Sequence, residues 1–313
     1  MLENKNINII KFLASILVIF NHTYFYFISY SKIIYKIEFV TSRIAVPLFI
    51  MCTGYLLSDK TKSFKYYLQK ALKILSLLLL CSLIIYIRTF NTFHLNFFIE
   101  LLKGPIIEPY WYLYMMFGFY FTIYFINKMI KNLSTQEIIY LILLSLFFPA
   151  LLNLLNIEIS SYWNITNFSY IIGYYLAGCL FKKNNFFKYK NYGILIFIIS
   201  LFYGLITFVN NLQGEYYINN LLVIVMSISL FIFLLNVKTI KLGNSTISKY
   251  VLTVYLIHPM IQNKIYNLFF IKKIIEYKPI LGIIIYQLFL ITLCYFIAIL
   301  YYHLKKQVIK IYL

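Results

Sequence analysis

ILGIIIYQLFLITLCYFIAILYY, residues Ile280–Tyr302, runs without a single charged side chain. A helix of roughly 20 apolar residues crosses the hydrocarbon core of a bilayer, and in lipid only a helix or a closed barrel satisfies every backbone amide. This stretch is therefore read as a membrane helix. Working back toward the N-terminus, comparable apolar runs recur at 250–267, 218–237, 192–209, 168–181, 138–155, 109–126, 72–87, 39–57 and 8–29. The expectation is an all-α polytopic membrane protein with about ten transmembrane helices, and residues 1–313 form one integral-membrane domain. The run at 168–181 is short and rich in Gly and Tyr, so its start is placed nearer Trp163.

Composition agrees. The chain is 62% hydrophobic and 12% charged, with a mean hydropathy of +0.82, where a soluble domain carries about 25% charged residues. Ten Gly, six Pro and four Cys exclude collagenous, low-complexity and disulfide-scaffold classes. The cysteines, Cys52, Cys81, Cys179 and Cys294, all fall within apolar runs and are read as small lipid- or core-facing residues. The first apolar run carries Lys11 and His22 and has no small-residue cleavage site, so it is not a removable signal.

The net charge of +19 could suggest nucleic acid. Its distribution excludes that, because the cations sit in short loops between spans. Alternate loops and both tails hold about eighteen of them, including Lys60, Lys62, Lys65, Lys70 and Lys73 in one loop and Lys182, Lys183, Lys188 and Lys190 in another. The opposite side holds about nine, with none around Glu158 or Glu215. Both termini are therefore expected in the cytoplasm, and the basic loop from Lys272 to Lys278 is the minority vote against it. Between Arg88 and Tyr110, Phe97, Phe98, Leu101 and Leu102 form an amphipathic segment suited to the membrane interface.

Ionisable groups inside a span are costly and point to function. Lys11 and His22 are separated by about three full turns of helix, which puts them on one face about 16.5 Å apart, with Ser15 between them on the same stripe. A snorkelling lysine and a core histidine bonded to a neighbouring helix would account for the same spacing. His258 precedes Pro259, so the ninth span is expected to kink or break there, freeing a carbonyl or turning the imidazole into the bundle. A structural hydrogen bond is the plainer account of that histidine. Tyr110 and Trp111 open the fourth span as interfacial aromatics that could also stack on a sugar ring. His94 and His303 are assigned no role. The absence of HExxH, Cys-x-x-Cys and a Walker-type loop gives no support to metal hydrolysis or ATP-driven transport.

These residues carry a family resemblance. Lys11, ten residues and then His22 resembles the Arg/Lys-x10-His signature of the first helix in the integral-membrane acyltransferase family of the acyltransferase 3 type, which includes O-acetyltransferases of bacterial surface polysaccharides. RIAVPLFIMCTGYLL (43–57) resembles its second-helix pattern, and KALK (70–73) stands where Arg-x-x-Arg is usual. YWYL (110–113) and VYLIHPMI (254–261) resemble its His-Leu-Trp-(Phe/Tyr)-Leu and Tyr-Leu-(Ile/Tyr)-His motifs, in the family's order. Asn8 replaces a common acid, Lys11 the commoner Arg, Thr53 a Ser, and Lys70 and Lys73 an arginine pair. Lysine keeps a point charge but lacks the planar fork that grips phosphate with two hydrogen bonds. No extracytoplasmic esterase-like domain is expected after the last span.

The resemblance implies transfer of an acyl group, acetyl in the first instance, from acyl-CoA to a hydroxyl of a surface glycan or its lipid-linked precursor. Acyl-CoA enters as donor substrate, with no bound cofactor or metal and no nucleic-acid partner. The place is a multi-pass protein of the bacterial inner or plasma membrane. His22 would serve as general base or as covalent acyl carrier, and Arg43 would stabilise the oxyanion. Lys11, Lys70 and Lys73 would hold acyl-CoA phosphates, with Trp111, Tyr255 and His258 on the acceptor side or structural. The alternative is an exporter of a glycan or small metabolite on the same fold, its broken helices marked by Pro47, Pro149 and Pro259.

Overall fold

A computed structural model of the chain describes residues 2–58, 62–90, 96–155, 170–184, 186–207, 220–237 and 247–311. Their regular structure is helical, with no strand among the described residues. The chain forms two compact units, Met1–Leu57 with Ser134–Leu313, and Ser58–Leu133.

In the larger unit, α1 (Leu2–Thr23) ends in a 3-10 turn, Tyr24–Phe27, and is followed by α2 (Lys32–Ser42) and α3 (Ala45–Leu57). Ser31 caps α2 by accepting from the Ile34 amide. The second expected span proves longer than 39–57, a helical stretch Lys32–Leu57 with a turn at Arg43 and Ile44. Proline explains the joint, since the ring of Pro47 clashes with the carbonyl four residues back, that of Arg43. The basic residue therefore sits where the helix is interrupted.

The smaller unit packs α4 (Phe64–Phe90) against α6 (Trp111–Asn132), with the short α5 (Asn96–Lys103) between them in sequence. As the amphipathic pattern suggested, α5 buries Phe97 and Leu101 against Tyr86 while Phe98 and Leu102 stay exposed. Asn127 donates to the Tyr67 hydroxyl at 2.9 Å, an interhelical hydrogen bond inside the unit.

After this, α7 (Thr135–Ile142) starts with a capping box between Ser134 and Glu137. It passes through a π-helical turn, Leu143–Phe147, into α8 (Phe148–Leu154). The wide turn lies just before Pro149, whose missing amide breaks the regular ladder. Next come α9 (Tyr170–Lys183), α10 (Lys190–Thr207), α11 (Leu221–Asn236), α12 (Val251–Tyr266), α13 (Phe269–Tyr277) and α14 (Pro279–Ile311).

Among the described residues, seven helical stretches are long and apolar enough to cross a membrane, and the shorter apolar Leu221–Asn236 joins them. The runs expected at 168–181, 218–237 and 250–267 correspond to α9, α11 and α12, of 14, 16 and 16 residues. Trp163 and the loops holding Glu158 and Glu215 lie outside the described residues, as does His94. The molecule is an all-α multi-pass membrane protein.

Close helix packing centres on α3 and α9. A Cβ on Gly54 would lie 2.1 Å from the Tyr175 carbonyl oxygen, and one on Gly178 would lie 2.1 Å from that of Met51. The two backbones touch through reciprocal glycines, the small-residue contact that lets membrane helices approach without a hydrophobic driving force. Cys179 Sγ lies 3.6 Å from the Gly54 carbonyl oxygen at this contact. All four cysteines are free and buried.

Candidate active site

Helix α1 is the spine of the site, packed against α2, α3, α11 and α12. Along its polar stripe the neighbours change. Lys11, partly exposed, interacts electrostatically with Cys52 on α3. Ser15 is buried and shares a 2.6 Å hydrogen bond with the Tyr295 hydroxyl of α14, while Phe12 meets the Tyr295 ring edge-on. His22, in the last turn of α1, is 6% exposed and faces His258 of α12, the ring centroids 5.4 Å apart and tilted by 31°. One helical face thus carries Lys11, Ser15 and His22, with Ser15 closed off by a hydroxyl from α14.

His258 is fully buried, and neither ring nitrogen has a hydrogen-bond partner of good geometry. Of the kink or break expected at this position, the break does not occur: α12 continues through Pro259 to Tyr266. Proline has no amide to give to the carbonyl four residues earlier, that of Tyr255. The Tyr255 and Val254 carbonyls lie close enough to the imidazole to interact with it, a looser arrangement than a full hydrogen bond. Proline inside a helix is tolerated in membrane proteins, and α12 is such a case. Tyr255 is itself buried, its ring 5.8 Å from that of His258.

Arg43 stands at the α2–α3 joint within electrostatic reach of His22. Its Nη2 donates to the Tyr24 hydroxyl at 3.2 Å, and its guanidinium carbon lies 4.3 Å from the centre of the Phe39 ring. Arg43 makes no ion pair with Glu38, five residues before it. Glu38 instead accepts from Gln287 Nε2 of α14 at 2.6 Å. Arg43 Nε is buried with no partner. Beside it Ser42 donates to Asn21 Oδ1 at 3.2 Å, fixing the residue that precedes His22.

The remaining candidates lie in the smaller unit. Lys70 and Lys73 occupy the first half of α4. Lys70 is partly buried with its ammonium 5.4 Å from the Tyr66 ring centre, and Lys73 is exposed. Trp111 opens α6, partly exposed, with its ring edge-on to Tyr112. Among the described residues no group of three His, Cys, Asp or Glu side chains is placed to hold a metal ion.

Residue-by-residue reading of the sequence missed the buried Glu38–Gln287 pair and the aromatic residues around it, Tyr26, Tyr266 and Tyr286. Helical register held a usable signal, since Tyr26 follows His22 by four residues and Gln262 and Tyr266 follow His258 by four and eight.

The multi-pass bundle thus brings a buried histidine pair and an arginine together. A family model described as an acyltransferase domain matches residues 4–300, and the chain belongs to that family, the acyltransferase 3 family. Comparison with curated proteins and with solved structures finds no match. The protein is a membrane acyltransferase, and the matched region takes in α1 and α12 alike.

Proposed function

We propose that this acyltransferase moves an acyl group, acetyl in the first instance, from acyl-CoA to a hydroxyl of a cell-surface polysaccharide or its lipid-linked precursor, in the bacterial inner or plasma membrane. The observation that carries the reading is the buried His22–His258 pair within reach of the Arg43 charge. Acyl transfer to an alcohol needs a base for the hydroxyl proton and a positive group for the developing oxyanion, and these side chains supply both.

In this reading His22 takes the proton as the acceptor oxygen attacks the thioester carbonyl. Arg43 faces the oxyanion. Collapse of the intermediate breaks the carbon–sulfur bond, the thiolate leaves, and the proton on His22 returns to it as CoA departs as the thiol. A neutral imidazole can take the proton in the first half of that transfer and return it in the second. By the family resemblance, donor phosphates are assigned to Lys11, Lys70 and Lys73. Trp111 and Tyr255 are assigned to the acceptor side. Both termini lie in the cytoplasm, the side on which acyl-CoA is found.

Membranes containing the protein, supplied with acetyl-CoA labelled in the acetyl group, test the reading. Label should enter the polysaccharide or lipid-linked sugar fraction and be released by mild base, as an ester is. Label confined to base-stable amide or to protein would contradict it.

A further inference from the structure

Beyond the histidine pair the 3-10 turn Tyr24–Phe27, which follows α1, meets the end of α12. Tyr26 lies four residues after His22, and Tyr266 eight after His258. Their rings stack at 4.4 Å with planes 13° apart. Between His258 and Tyr266, on the same face of α12, stands Gln262, 8% exposed. Tyr286 of α14 lies edge-on to both stacked rings, at 6.2 Å from Tyr26 and 5.9 Å from Tyr266, and its hydroxyl reaches the Gln262 carbonyl at 3.4 Å. The next residue, Gln287, holds Glu38.

Two oxygens in this layer are buried and lack any partner, Glu38 Oε2 and Gln262 Oε1. Glu38 is 4% exposed. Leaving a buried acceptor unsatisfied costs about 1–3 kcal/mol, more when it is charged, and a carboxyl group inside a span is a functional residue by default. Packing gives no reason for them. Gln287 fixes one carboxyl oxygen and leaves the other aimed at something that donates. Both unpartnered atoms can accept a hydrogen bond, so a ligand with hydroxyl donors would satisfy them, and Gln262 stands one helical turn along α12 from His258.

We propose that Glu38 and Gln262 bind the sugar of the acceptor, receiving hydrogen bonds from hydroxyls next to the one that is acylated, while the Tyr26–Tyr266 pair forms the apolar wall of the subsite. A polyol matches the requirement, because it presents several O–H donors on one rigid ring with apolar C–H faces. Lys272, whose ammonium lies 5.8 Å from the Tyr266 ring centre, sits beside this wall. The assignment rests on the glycan reading of the acceptor and deepens it by naming the residues that recognise the sugar.

The test uses the full-length protein in lipid nanodiscs, with acetyl-CoA as donor and methyl glucoside, methyl galactoside and methyl N-acetylglucosaminide as acceptor probes. Glu38→Gln keeps the shape and the bond from Gln287 but turns the free acceptor into a donor. Gln262→Met keeps volume and removes the acceptor. Each should raise the KM for the glycoside roughly tenfold with the KM for acetyl-CoA unchanged, and the two variants guard against the misfolding of either one. Wild-type protein that acylates a glycoside, with both variants showing unaltered glycoside KM, would overturn the subsite and leave the glycan reading standing. Wild-type protein that acylates none of the glycosides would overturn the sugar assignment together with the reading on which it rests.

Discussion

His22 and His258 come from opposite ends of the sequence, yet their rings face each other at 5.4 Å, one in the last turn of α1 and the other just before a proline inside α12. The Tyr255 carbonyl that Pro259 cannot satisfy lies beside the His258 ring, so the irregular backbone turns toward the site instead of toward lipid. His258→Ala should therefore do more than remove a ring. It should lower kcat and leave expression in the membrane intact, whereas His258→Phe, which restores the volume without nitrogens, should recover stability to detergent but no activity. Full activity in His258→Phe would make the residue a packing element only.

Arg43 is held by Tyr24 and by the face of Phe39. Removing a single oxyanion donor typically costs about 10² to 10³ in kcat, and Arg43→Gln should fall in that range with little change in the KM for acyl-CoA. Arg43→Lys keeps the charge but cannot reproduce the fork or the stacking, so it should recover only part of the loss. Tyr24→Phe removes one hydrogen bond and should cost less than about tenfold. A kcat unchanged in Arg43→Gln, measured with donor and acceptor saturating, would confine the arginine to a structural part.

Gly54 and Gly178 predict where the bundle is least tolerant. Gly54→Val would drive a side chain into the Tyr175 carbonyl, and overpacking of this kind costs about 1–3 kcal/mol or more. The variant should lose thermal stability in detergent or fail to accumulate. Gly118→Ala, where nothing lies within 4 Å of the added Cβ, should be at least as stable as wild type because alanine is the better helix former. Equal melting temperatures for wild type and Gly54→Val would contradict the packing.

Lys70 and Lys73, three residues apart on α4, are the proposed donor contacts. Their double change to Ala should raise the KM for acyl-CoA about tenfold at low salt, and by less as ionic strength rises and screens the attraction that the lysines provide. Acceptor KM should move little. Donor kinetics that do not change, in a protein that still folds, would leave these lysines only a part in orienting the chain.

Much of the fold was legible because the bilayer imposes a simple rule on sequence. Every residue of 280–302 is uncharged, and α14 covers that run in full. The turn inside the second span was less visible, since Pro47 lies inside an otherwise unbroken apolar stretch and its effect falls one turn earlier, at Arg43. At the site, the spacing of Lys11 and His22 identified α1 but not its partners. Which helix meets which is a long-range fact, and nothing local in α12 says that it packs on α1. The proline suggested a kink or break at His258, and the helix runs on through it. The partner of Glu38, Gln287, comes from α14, 249 residues away, which no local pattern announces.

Topology is open to a direct check. Reporter fusions after Asn185 and after Gln213 should report the cytoplasmic and the outer side respectively, because the loop before α10 is strongly basic and the one after it carries no cation. Both reporters on one side would end the proposed orientation.

The central claim is that His22 moves the proton, and His22→Gln tests it most directly. Glutamine keeps a hydrogen-bonding side chain of similar reach but cannot accept the acceptor's proton. General-base catalysis contributes about 10² to 10⁴ in rate. With labelled acetyl-CoA as donor and the variant shown to be folded and inserted to the wild-type level, label transfer into glycan should fall by at least the lower end of that range while acetyl-CoA still binds. Transfer by His22→Gln at close to the wild-type rate would mean that His22 is a packed histidine and that the proton leaves by another route.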